Sequence, residues 1–199
     1  NGYKVDLDQS ETKGGAVKIF RPSLHLFDGE QAEGEIIITH SGSNNTVLVC
    51  IPIIIRDGNG KSNNFFKQLI PYINLAENNP KPQNVNVSKW SLNDITPTGD
   101  YYFYNGALPY QPCTKNIEKR INVIVFGLKS GATIDQKHYA LLTSLIRPIK
   151  YSLEDKLQAV NNKNPIIMMN KQDEQGGGAI GPDSQNKEFT IFENCEYIN

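Results

Sequence analysis

Ten consecutive residues in the middle of the chain, TVLVCIPIII at 46–55, set the terms for everything else. The run is rich in Val and Ile. It is bounded by SGSNN at 41–45 and RDGNGKSNN at 56–64, so it reads as a β-strand between two turns. It falls well short of the roughly 18 apolar residues that a membrane-spanning helix requires, and no longer apolar run exists. Cys50, inside it, reads as a buried core thiol. The same strand chemistry recurs in AVKIF (16–20), SLHLF (23–27), EIIIT (35–39), YYFYNG (101–106) and RINVIVF (120–126). Two segments have helical spacing. NFFKQLIPYINLA (64–76) carries Pro71, which should start, kink or end a turn. DQKHYALLTSLIR (135–147) offers Thr133 or Asp135 as N-cap and a stripe of Tyr139, Leu142, Leu145 and Ile146. The expectation is a mainly β fold with peripheral helices.

The 199 residues suffice for one domain with a substantial core. We place that domain at 1–169. The remainder, 170–199, reads as a Gly-rich linker around Gly176–Gly178 followed by a C-terminal extension with a last strand, EFTIFE (188–193). A polar segment ending in an apolar strand suits addition to a partner's sheet edge. Net charge is −1, which argues against a protein built to grip nucleic acid or anionic membrane. The three cysteines, Cys50, Cys113 and Cys195, form no CxxC pair, so zinc-ribbon and thioredoxin-type motifs are excluded. Cys113 and Cys195 fit a disulfide or two reduced thiols equally well. The first residue is not Met and no signal-peptide pattern opens the chain, from which we expect a processed or truncated N-terminus.

The segment NDITPTGDYYFYNGALPYQPCTKNIE (93–118) resembles a stretch of the α-type carbonic anhydrases, L-x-P-x-x-x-x-Y-x-x-Y-x-G-S-L-T-T-P-P-C-x-E-x-V. Pro97, Tyr101, Tyr104, Gly106, Leu108, Pro112, Cys113 and Ile117 stand at matching places. AEGEIIITHS resembles that family's A-E-L-H-L-V-H-W, and NGYKVDL…KGG (1–15) its N-G-H-x-V-x-V…K-G-G. The helix at 135–147, ahead of the basic RPIK, fits the family's helix after the active site. The resemblance spans residues 1–169 and leaves the family's N-terminal portion unmatched. It implies a large, twisted, mostly antiparallel central sheet, with zinc ligands on two adjacent strands.

Such an enzyme holds Zn²⁺ with three neutral imidazoles and an open position. The metal lowers the pKa of the bound water to about 7. On a strand, residues i and i+2 face one side, so H-x-H supplies two ligands. The matching stretch here is Leu24-His25-Leu26-Phe27. His25 keeps the first ligand position and Phe27 replaces the second. Ile37 stands at the third, two residues after Glu35. His40 matches a histidine that points away from the metal. The hydroxyl that orients zinc-bound hydroxide lies in a Leu-Thr-Thr segment, which here is Leu108-Pro109-Tyr110. The substrate-pocket Trp becomes Lys119, and the proton-shuttle His becomes Tyr3, whose pKa near 10 suits proton relay poorly. The resemblance therefore implies the family's non-catalytic branch, with no metal and no cofactor. That branch includes the carbonic-anhydrase-related proteins of animals and the poxviral cell-surface-binding protein. Glu35 is then expected to pair with His25 or with a buried backbone N–H, His40 to hydrogen-bond internally, and His138 to face solvent.

Lys outnumbers Arg, and Asn and Ile are abundant, a bias of AT-rich coding genomes such as those of protists and large DNA viruses. With the resemblance, this points to a binding or structural module at a virion or extracellular surface, with protein partners in an assembly. A sulfated glycan is a second candidate partner, with Lys115, Lys119, Arg120, Lys137, Arg147 and Lys150 as contacts. The plainer account of those residues is a solvated face. Two alternatives stay open: a divergent zinc carbonic anhydrase, and a purely architectural subunit.

Overall fold

The structure, a computed structural model, describes residues 4–9, 15–27, 29–41, 46–56, 61–78, 91–106, 121–146, 168–172, 178–182 and 189–190. In chain order these form β1 (Lys4–Gln9), β2 (Gly15–Phe20), β3 (Leu26–Phe27), β4 (Glu30–Gln31), β5 (Gly34–Ser41), β6 (Thr46–Ile55), α1 (Lys61–Asn78), β7 (Tyr101–Gly106), β8 (Ile121–Phe126), β9 (Ala132–Ile134), α2 (Gln136–Leu145), β10 (Met168–Gln172), β11 (Gly178–Pro182) and β12 (Phe189–Thr190).

The main sheet runs β1-β2-β5-β6-β8-β7-β10-β11. The apolar run that dominates the sequence is its hub. Along β6, Val47–Cys50 pair in parallel with β8, Ile53–Ile55 pair in parallel with β9, and the opposite edge pairs with β5 over Thr46–Ile53. All the other pairings are antiparallel. A small second sheet, β12-β3-β4, carries the stretch that includes His25 at its margin.

Strand alternation sorts the core into two halves. Val17, Ile19, Ile36, Ile38, Ile51 and Ile53 face the helices and pack against Phe65, Phe66, Leu69, Leu142 and Ile146. Ile37, Leu48, Cys50, Tyr102, Tyr104, Val123 and Val125 face the other way, with Phe20, Leu24 and Phe27. Full burial of one such aliphatic or aromatic side chain stabilises by about 1.5–3 kcal/mol.

Two sequence expectations need correction. SLHLF is not a five-residue strand, because only Leu26 and Phe27 pair with neighbours. The helix over 64–76 is longer, 61–78, and runs through Pro71. Pro71 is exposed, as is Lys67 one turn earlier whose carbonyl loses its donor, so water can satisfy that side. Of the last strand expected at 188–193, residues 189–190 are described and are strand, and the others lie outside the described residues. The 169/170 boundary falls within β10, which forms a hairpin with β11 and joins β7 in the main sheet. Gly178, read as linker, opens β11. α2 starts where Asp135 caps it, its side chain accepting from the His138 N–H at 2.8 Å. No helix among the described residues is long and apolar enough to cross a membrane.

Candidate functional site

Ser23, His25 and Glu35 are the buried polar residues among those described, and they converge on the face away from the helices. Glu35 is the second residue of β5, and its side chain points to the same face as Ile37. Gly34 precedes it, where a Cβ would sit 2.8 Å from the Phe20 carbonyl oxygen. Without a side chain there, β2 and β5 approach closely just beside the carboxylate.

That carboxylate does the work of a neighbouring strand. Its Oε2 accepts the Leu24 N–H at 2.7 Å and the His25 N–H at 3.2 Å. Its Oε1 bonds His25 Nδ1. This explains why 23–25 needs no ladder partner. Ser23 braces the same turn. Its hydroxyl donates to the His25 carbonyl at 2.7 Å and accepts the Ala32 N–H at 2.8 Å, and its own N–H donates to the Ala32 carbonyl at 3.1 Å. Gln31 Nε2 donates to the Ser23 carbonyl at 2.7 Å.

The other ring nitrogen of His25, Nε2, lies 2.9 Å from the Tyr104 hydroxyl. A carboxylate offers acceptors alone. The consistent arrangement is Nδ1–H donating to Glu35 and Nε2 accepting from the Tyr104 O–H. His25 is 1 % exposed and Glu35 0 %, so each of these bonds replaces one that water would otherwise supply. Cys50 is also fully buried, on the face that holds Ile37, its register partner in β5. Burial, and then the charge of Glu35, pushes its thiol well above the usual range.

Glu35 thus pairs with both His25 and buried backbone N–H groups. Phe27 and Ile37 lie in the apolar cluster beside them, 1 % and 0 % exposed. A phenyl ring and a sec-butyl group have no lone pair, so the positions matched to zinc ligands offer one imidazole rather than three. The residues present do not fit a three-imidazole zinc centre. His40 is exposed, not internal, and His138 is half-buried against Asp135, its Nδ1 at 2.7 Å from the carboxylate. Lys137 is exposed on α2, whose buried residues pack on the opposite face of the sheet from His25. Tyr3, Leu108, Pro109, Tyr110, Cys113, Lys115, Lys119, Arg120, Arg147, Lys150 and Cys195 lie outside the described residues, as does the Leu145 side chain.

Tyr104 and Cys50 are members of this cluster that sequence reasoning did not place there. The signal for Tyr104 was the alternation of YYFYNG, which puts Tyr102 and Tyr104 on one face. For Cys50 the register with β5 was needed, which sequence alone does not supply.

No protein-family model matches the sequence, and no curated protein does. Solved structures do match its fold. The structure of dioscorin complexed with ascorbate superposes with a TM-score of 0.60 at 19 % identity, covering 87 % of this chain and 73 % of dioscorin. The α-carbonic anhydrase of Thermovibrio ammonificans, in complex with the inhibitor sulfanilamide, gives 0.57 at 16 % identity, covering 76 % and 69 %. The fungal α-carbonic anhydrase of Aspergillus oryzae gives 0.55 at 16 %, covering 76 % and 68 %. The chain has an α-carbonic-anhydrase-like fold, mainly β, with helices packed on one face of a mostly antiparallel sheet.

Proposed function

We infer that the chain is a non-catalytic module on a carbonic-anhydrase-like fold, acting as a binding or structural component of an assembly. The observation that carries this reading is the engagement of His25. Its two ring nitrogens are bonded to Glu35 and Tyr104, while Phe27 and Ile37 fill the neighbouring ligand positions with hydrocarbon. Hydration of CO₂ at zinc needs an open coordination position that water and substrate reach. Side chains at 0–1 % exposure support no such opening. What a β-rich surface module of this kind offers instead is contact area. The AT-biased composition favours a virion or extracellular surface as its setting.

A CO₂-hydration assay on purified protein supplemented with Zn²⁺ tests the reading. The expected rate is that of buffer. Hydration above buffer that is lost on mutating His25 would overturn it. Retention on a heparin column at moderate salt would direct the search for a partner to sulfated glycans. Flow-through would direct it to proteins.

A further inference from the structure

Cys50 stands out among the buried polar groups. Ser23, His25 and Glu35 each have hydrogen-bond partners. The Cys50 thiol, equally buried, has none among the described residues. It does have company, for a nitrogen of His25, a carboxylate oxygen of Glu35 and Cys50 Sγ all lie within 4.8 Å of one another. We propose that His25, Glu35 and Cys50 form a buried site for one zinc-class divalent cation, supplying three of its four ligands, whose role is to hold the fold rather than to catalyse.

Zinc takes nitrogen, oxygen and sulfur donors at about 2.0–2.3 Å, which sets donor atoms about 3.3–3.8 Å apart around a tetrahedron. All three atoms lie within 4.8 Å of one another, so side-chain shifts on the order of 1 Å reach that geometry, the His25–Glu35 hydrogen bond giving way to the cation. The donor set also selects the metal. A thiolate with an imidazole suits Zn²⁺ or Co²⁺ and disfavours Mg²⁺ and Ca²⁺, which take oxygen ligands. Charge supports it too. On ligation the thiol loses its proton to solvent, and thiolate plus carboxylate neutralise the dication. A neutral site is what surroundings of Leu24, Phe27, Ile37 and Leu48 tolerate, since an unbalanced buried charge is costly.

This goes beyond the functional reading above: the cation would displace a hydrogen bond of His25 on which that reading rests, and separate assays of metal binding and CO₂ hydration tell the failure of one from the failure of the other. The test uses cobalt as the probe on metal-free protein. The variant Cys113→Ala/Cys195→Ala leaves Cys50 as the chain's remaining thiol. It is expected to bind one equivalent of Co²⁺ with a near-ultraviolet thiolate-to-cobalt band. Cys50→Ala is expected to lose that band while keeping its far-ultraviolet circular dichroism. Should Cys50→Ala not fold, X-ray absorption at the zinc edge of the double variant gives an independent answer, with one sulfur scatterer expected among light atoms. Absence of the band in the double variant, or a bound cation with no sulfur neighbour, overturns the site. Zinc bound through Cys50 without CO₂ hydration upholds both proposals. Hydration would sink the functional reading alone, and failure to bind metal would sink the site alone.

Discussion

The two faces of the central sheet are built on different physics. The helix face is hydrocarbon against hydrocarbon: Ile19, Ile36, Ile51 and Ile53 against Phe65, Phe66 and Leu69. Its long-range polar ties among the described residues lie at the rim, where Arg21 donates to the Thr143 and Ile146 carbonyls at the end of α2 and the Tyr139 hydroxyl donates to the Glu33 carbonyl. The opposite face has an apolar cluster too, but a hydrogen-bonded chain of Tyr104, His25, Glu35 and two backbone N–H groups is sunk in it. Apolar contacts are non-directional, and isosteric swaps there usually cost less than about 1.5 kcal/mol. A buried polar network is directional, so losing one member strands the others.

Three measurements sharpen that contrast. The largest effect should come from Glu35→Ala, which leaves the Leu24 and His25 N–H groups and the imidazole without their acceptor. Chemical denaturation should show a loss of about 3–5 kcal/mol. Leu69→Met, equally buried on the helix face, should lose less than about 1.5 kcal/mol. Equal losses would erase the distinction between the faces. Next, Tyr104→Phe keeps the ring packing and removes only the hydroxyl facing Nε2, and should cost about 1–3 kcal/mol in the same experiment. A loss below about 0.5 kcal/mol would mean that the imidazole finds another partner. The smallest effect is in pH. Burial raises the Cys50 thiol on one face, and burial followed by the charge of Glu33 raises the Tyr139 phenol on the other. Both are neutral acids held protonated in the native state. The stability they contribute is complete below their unfolded ranges and is lost as pH rises through the folded ones. Metal-free protein should therefore weaken from about pH 8.5 upward. Cys50→Ala should remove the first part of that decline and Tyr139→Phe the later part. An unchanged alkaline profile in Cys50→Ala would contradict the account of the thiol.

Where local pattern decides structure, the sequence was a good guide. β6 and β7 fall on 46–55 and 101–106 as their Val, Ile and Tyr content foretold, and Asp135 caps α2. The departures come from contacts that local pattern cannot carry. Residues 23–25 leave the extended ladder because the Glu35 carboxylate takes the Leu24 and His25 N–H groups and the Ala32 carbonyl takes that of Ser23. Met168–Gln172 and Gly178–Pro182 pair as strands because β7, far away in sequence, offers them an edge. The candidate site divides in the same way. The pairing of His25 with Glu35 was legible because the resemblance sets their two segments on adjacent strands. Tyr104 and Cys50 join from β7 and β6, where only tertiary register places them.

The hub strand gives the molecule a safeguard against its own misfolding. A strand that slips by one residue turns every side chain to the wrong face, which here would move Cys50 into the helix-facing core. Yet β6 is checked against three neighbours: β5 over Thr46–Ile53, β8 over Val47–Cys50 and β9 over Ile53–Ile55. A slip would have to break all three alignments together. The alignment that sets the thiol beside the carboxylate is therefore proofread along the best-connected stretch of the sheet.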